Sequence, residues 1–164
     1  MATDQELAAT LGVSVSTVRL DRALMGVPEL RERVRRMAQR AGSRLRSLSQ
    51  SEIVGELLEL EPDRWALSVL RTTREMVFRS TDIIWDHYIY AQASSLAIAA
   101  IEAEVVIVDS MRGDYKGHAR VGDVLIARAK AGVGRDGRRI VSVRTRVGDK
   151  EIFVGRFIVE VRGG

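Results

Sequence analysis

The chain has 164 residues, enough for one domain with a small appendage, and its 46% hydrophobic and 29% charged content is that of an ordinary globular protein. It contains no cysteine, which excludes disulfides, cysteine zinc sites and thiol catalysis. No apolar run approaches the ~20 residues needed to span a bilayer, and nothing at Met1 resembles a secretory signal, so a cytoplasmic protein without a membrane partner is expected. The whole excess charge of +4 falls in residues 1–50, where arginine is the only cation, and a positive front half on a neutral remainder points to a polyanion.

In chain order, TDQELAATLG opens with Thr3 and Glu6 at capping-box spacing. Leu7 and Leu11 then give one apolar stripe before Gly12 ends the helix. Ser14 starts a second short helix, SVSTVRLDRALMG, closed by Gly26, with Val15, Val18 and Met25 on a shared buried face. Two short helices and a tight glycine-containing turn over 1–27 form a helix-turn-helix. Pro28, Glu29 and Glu32 suit the first turn of a third helix. Leu30, Val34, Met37, Ala41 and Leu45 make it an amphipathic linker over 28–48, with arginines on its other faces. Gly42 and SLSQS mark its end and a domain boundary near residue 50.

From 50 to 162 the pattern is rich in strands: VGELLEL, WALSVLRTT, MVFRSTDI, VVIVDSM, DVLIARAKAGV, RRIVSVRTRV and EIFVGRFIVEV. Asp136-Gly137 and Gly148-Asp149 are turn signals that join the last three as a meander. One helix, HYIYAQASSLAIAAIE, lies among them, crowded with small residues. A lone small-residue helix among five or six antiparallel strands implies an α+β protein in which the sheet wraps closely around that helix, the hot-dog arrangement.

The string VSVSTVRLDR resembles the recognition helix of DeoR-type helix-turn-helix proteins, V-S-x-x-T-[IV]-R-x-D. Ser14 would cap the helix, while Ser16, Thr17, Arg19 and Arg22 would reach phosphates or base edges, with Arg31 and Arg33 on the next helix. DQELAATLGVSVSTVRLDR, VPELRERV, VGELLELE, AQASSLAIA and GRF also occur in the order seen in the FapR family, so similarity runs from Asp4 to about Phe157. That resemblance implies a cytoplasmic homodimer on palindromic double-stranded operator DNA, repressing fatty-acid and phospholipid synthesis genes. It implies no cofactor, and malonyl-CoA as the inducer that binds the hot-dog domain. It also implies a helix ahead of TDQELA, so a helix-turn-helix lacking its first helix is expected.

The effector contacts implied by the resemblance are Phe78, Trp85, Asp86, Ser94 and Tyr115. Family members carry Arg-Gly where this chain has Trp85-Asp86, and an Asn eight residues later where it has Ser94. Arg and Asn grip the malonyl carboxylate there, so effector specificity is expected to be altered or lost. A competing reading is a hot-dog thioesterase or enoyl-CoA hydratase using Asp82, Asp86 and His87, since Asp82 and His87 have the spacing of the hydratase pair. A third is an acyl-CoA sensor that neither binds DNA nor catalyses. Tyr115 is expected near the ligand channel, Gly122-Asp123 in a turn, and Arg112, Lys116 and Arg120 within reach of CoA phosphates or on solvated strand edges. His118 and the hairpin tip RDGRR read as surface.

Overall fold

A computed structural model describes residues 28–162, with side chains from Glu32 onward. The expected helix-turn-helix over 1–27, with Ser14, Ser16, Thr17, Arg19 and Arg22, lies outside the described residues, as does the Arg31 side chain. The chain divides into two compact units, residues 1–37 and 38–164, at a point inside the first described helix.

That helix, α1, runs Pro28–Arg44. It stops four residues short of the expected end, because the Leu45 amide turns back to the Gly42 carbonyl at 3.3 Å. Ser43 also spends its hydroxyl on the Arg40 carbonyl. Ala41 is buried and Leu45 half-buried, so the apolar stripe continues past the helix into the loop. Arg33 is exposed, and Glu32 sits beside Arg35 and Arg36 on the solvent side.

The second unit is one antiparallel sheet and one helix. The strands are β1 (Glu56–Glu61), β2 (Trp65–Arg71), β3 (Val105–Tyr115), β4 (Val124–Ala131), β5 (Arg138–Val147) and β6 (Lys150–Arg162), in spatial order β1-β2-β4-β5-β6-β3. The meander β4-β5-β6 is the expected one. Asp136 and Gly137 both hold positive φ, the requirement of a tight hairpin turn, and Gly148 does the same before β6. β1 and β3 are the edges.

Helix α2 (Asp86–Ala99) lies against one face of the sheet and touches five of its strands. Its small side chains allow that closeness: Ala93, Ala97 and, just past its end, Ala100 are fully buried, with Leu96 the largest buried aliphatic on it. The sheet answers with Leu125, Ala127, Val141, Val143, Phe153 and Phe157, alternating along their strands with outward-facing residues. Gly155 sits between the two phenylalanines, and a Cβ there would stand 2.8 Å from the Phe153 ring and 3.1 Å from that of Phe157. This is the physical content of the GRF triplet. A side chain there would have to displace one of these rings, and the sheet packed in this way around the helix is the hot-dog fold.

One expected strand is absent. MVFRSTDI follows a short 3-10 turn, Arg74–Met76, and takes part only in two isolated bridges, Val77 to Ile84 and Ile83 to Arg120. Ser80 takes a positive φ of 66°, and the Thr81 amide bonds back to the Phe78 carbonyl. The segment therefore doubles on itself instead of extending. Its alternating pattern reflects a tight loop with one side packed, which period-2 reasoning cannot tell from a strand.

Candidate functional site

The doubled loop delivers the chain to the start of α2. Its backbone is stitched on both sides. The Trp85 amide donates to the Met76 carbonyl at 2.9 Å, the Ile84 amide to Ala119 at 2.8 Å, and the Val121 amide to Asp82 at 3.0 Å. Thr72, buried, donates its hydroxyl to the carbonyls of Arg120 and Asp123. Gly122 has φ 92°, and the Asp123 amide returns to Arg120, so Gly122-Asp123 does form the expected turn. Arg120 grips Asp82 at 2.6 Å across this junction.

Trp85 occupies the N-cap of α2, where an indole can offer no cap, and Asp86 supplies an acid to the first turn. Around them the rings form a ladder. Phe78 lies 5.2 Å from Trp85, Trp85 meets His87 edge-on at 4.5 Å, and His87 lies 4.3 Å from Tyr88. Phe78 and Trp85 are each 41% exposed, a large apolar area to leave facing solvent. Tyr115, at the end of β3, stacks on Phe153 at 5.2 Å and donates its hydroxyl to the Asp86 carbonyl at 3.4 Å. Burial, then the nearby Asp86 and Tyr90, push the Tyr115 phenol above its ordinary range, so it stays a neutral donor.

Of the five expected effector residues, the structure brings four together: Phe78 with Trp85, and Asp86 with Tyr115. Ser94 stands eight residues along α2 from Asp86, about 12 Å away at the helical rise, and is half-buried. The two residues of the hydratase pair each have another neighbour. The Asp82 carboxylate is taken by Arg120, and the His87 ring is packed against Trp85 and Tyr88. Lys116 lies 3.9 Å from Glu151. At the RDGRR tip, Arg138 meets Asp109 at 3.0 Å and Arg139 meets Asp63 at 2.7 Å, so these arginines tie the start of β5 to β3 and to the β1–β2 turn.

A buried polar group escaped the sequence reading. Gln92, on the sheet-facing side of α2, donates its amide nitrogen to the Ser68 hydroxyl at 3.2 Å and the Leu125 carbonyl at 3.1 Å. Its own carbonyl oxygen has no hydrogen-bond partner, and neither has the buried Thr145 hydroxyl. Ser68, Ala127 and Thr145 are successive cross-strand neighbours, so two hydroxyls flank a small alanine beneath the helix. The one available signal was an amide set among small residues in AQASS.

No family model matches the chain. Among curated proteins it is 41% identical over 157 residues to Transcription factor FapR of Thermoanaerobacter sp. (strain X514), covering 96% of this chain and 78% of that protein. It is 39% identical over 158 residues to Transcription factor FapR of Bacillus subtilis (strain 168), covering 94% and 84%. The chain belongs to the FapR family. The alignment with its FapR relatives takes in far more than the sheet and its helix, since it spans nearly the whole chain. Solved structures similar to it share the hot-dog fold. Cj0977, a sigma28-regulated virulence protein from Campylobacter jejuni, superposes with a TM-score of 0.72 at 26% identity, over 79% of this chain and 92% of that one. The E. coli PaaI protein superposes at 0.61 with 14% identity, over 66% and 79%, a likeness of fold alone.

Proposed function

We propose that this chain is a DNA-binding repressor of fatty-acid and phospholipid synthesis genes whose hot-dog domain senses an acyl thioester. The observation that carries this reading is the 39–41% identity, over about 95% of the chain, to proteins named Transcription factor FapR. Residues 1–27 read a duplex operator through Ser16, Thr17, Arg19 and Arg22, with Ser14 capping the recognition helix. Arg31 and Arg33 of the linker helix reach phosphates. The sensor domain over 50–162 takes its ligand at the α2 mouth, against Phe78, Trp85, Asp86 and Tyr115.

Two copies form the working unit. β3 is an 11-residue edge strand with one ladder satisfied by β6 and the other free, and Val105 and Ile107 on it are exposed. A long apolar edge invites pairing with a second copy, which gives a two-fold protein for a palindromic site.

The effector is not a malonyl group. Where the family has a guanidinium that can pair with a carboxylate in two-pronged fashion, this chain has the single N–H of Trp85. Where the family has glycine it has the carboxylate of Asp86. Losing a charged hydrogen bond costs ~1.5–3 kcal/mol, a weakening of roughly ten- to a hundredfold, before Asp86 adds its repulsion. The aromatic ladder favours a neutral or cationic acyl head.

Titration calorimetry with malonyl-CoA and acetyl-CoA tests the sensor, with a gel shift on the chain's own promoter testing the repressor. Malonyl-CoA is expected to bind only after Trp85→Arg, Asp86→Gly and Ser94→Asn are combined. Micromolar binding by the unchanged chain would sink the effector argument. An unshifted promoter would sink the repressor.

A further inference from the structure

The sheet has a second face, turned away from α2, and its register sets cations directly opposite one another. Arg112 of β3 pairs with Arg156 of β6, Arg156 with Ser142 of β5, Ser142 with Lys130 of β4, and Lys130 with Trp65 of β2. One line across five strands therefore reads Arg, Arg, Ser, Lys, Trp, and its three cations are exposed. Two residues further along the strands, Arg128 and Arg144 face each other in the same way.

Like charges directly opposite in an antiparallel ladder are destabilising, and nearby acids can offset the cost. The Arg128–Arg144 pair has such acids. Glu151 holds Arg144 at 2.6 Å, and Glu59 interacts with Arg128. The first line runs on to Glu61 of β1, opposite Trp65, but that acid is held by Arg44, and Asp114 stands two residues along β3 from Arg112 without pairing to it. Among the described residues Arg112, Arg156 and Lys130 make no ion pair, so this row of positive charge is left for something outside the sheet to neutralise.

We propose that this line is a docking surface for the sugar–phosphate backbone of duplex DNA, a second and sequence-independent contact made by the sensor domain. The proposal rests on the DNA-binding reading given above. Arg112 and Lys130 stand three strands apart, ~14 Å at ~4.8 Å per strand. That exceeds the ~12 Å width of the major groove, so the two ends of the line reach phosphates on opposite sides of it. Lys130 also lines an open groove with Arg64, Trp65 and Arg128, whose one acid, Asp63, is taken by Arg139. An anionic bilayer would answer the charge too, but the one apolar side chain in the line, Trp65, is half-buried and leaves little to insert into one.

The test is fluorescence anisotropy of the full chain with a labelled random-sequence duplex, titrated across salt concentrations. Phosphatidylserine vesicles serve as a parallel probe. The variant combines Arg112→Gln, Arg156→Gln and Lys130→Gln. A second variant removes the same charge elsewhere through Arg74→Gln, Arg79→Gln and Lys150→Gln.

The first variant is expected to bind at least tenfold more weakly at low salt. Its slope of log affinity against log salt should be shallower by about 2.7, at ~0.9 for each lost phosphate contact. The second should change the slope by less than about one contact's worth. The melting temperature of the first should hold or rise, since a like-charge pair is gone. An unchanged slope and affinity in the first variant overturns the proposal and leaves the repressor standing. Vesicle binding lost with duplex binding intact overturns it in favour of a membrane. Equal losses in both variants reduce it to net charge. A wild-type chain that binds no duplex overturns the repressor and the sheet contact together.

Discussion

The two faces of the sheet are built from the same strands and differ in nearly every other respect. Toward α2, β6 presents Phe153, Gly155, Phe157 and Val159, all fully buried or nearly so. Away from it, the intervening positions are Val154, Arg156, Ile158 and Glu160, half-buried or exposed. Neighbours one residue apart thus live in different solvents, and the energetic weight of a side chain follows its face more than its type.

The sharpest way to break that comparison is at adjacent apolar residues. Phe157→Ala should cost ~3–5 kcal/mol, the transfer free energy plus a cavity that Gly155 cannot help fill, whereas Ile158→Ala should cost ~1 kcal/mol or less. Urea unfolding of the two variants decides it. Equal losses would mean that the outer face is covered as thoroughly as the inner.

Polar residues should separate in the same direction with smaller numbers. Gln92→Ala removes the amide that satisfies Ser68 and the Leu125 carbonyl in the core, for ~1–3 kcal/mol, while Ser142→Ala on the outer face stays within ~0.5 kcal/mol. A neutral Gln92→Ala would show that its orphaned carbonyl already cancels what its nitrogen contributes. Smaller again is the Asp82–Arg120 pair, whose side chains are both more than half exposed. A double-mutant cycle there should return a coupling of ~0.2–1 kcal/mol, declining with salt.

Glu59 gives the least effect and a sign. Burial holds its carboxyl above the ordinary range, with Arg128 pulling the other way. A carboxyl raised in the folded state favours folding while protonated, and that contribution fades as pH climbs through its folded value. The stability difference between Glu59→Gln and the unchanged chain should therefore shift in the variant's favour from about pH 4 to pH 7, read by chemical unfolding at each pH. A difference that is flat, or that moves toward the unchanged chain, would mean Arg128 dominates.

How much of this was legible varies from element to element, for physical reasons. The β4-β5-β6 meander was open to reading because Asp136-Gly137 and Gly148-Asp149 are local turn chemistry, visible without neighbours. The central helix was open for a similar reason: a run rich in alanine favours helix, and its small side chains let that helix press close on a sheet. MVFRSTDI misled because its alternation comes from packing one side of a loop, which is stitched partly to the distant backbone of residues 119–121. The linker helix was read too long because Leu45 keeps the apolar spacing after the hydrogen bonds have stopped.

At the α2 mouth, family resemblance supplied the positions Trp85 and Asp86. It could not supply the ring ladder through His87 and Tyr88, which depends on where the doubled loop sets Phe78. The Gln92 network was illegible for the same reason, since its partners lie 24 and 33 residues away on two different strands.

The place of β3 sets an order of events in time. It is the third strand synthesised, yet its ladder partner is β6, the last, with two other strands made in between. During synthesis β1, β2 and α2 can gather while Val105 and Ile107 wait on a strand with no neighbour. Closure of the sheet is therefore deferred until β6 has been made. A chain ended near residue 150 would keep a sticky strand permanently unpaired, and the cell would meet that protein as aggregate.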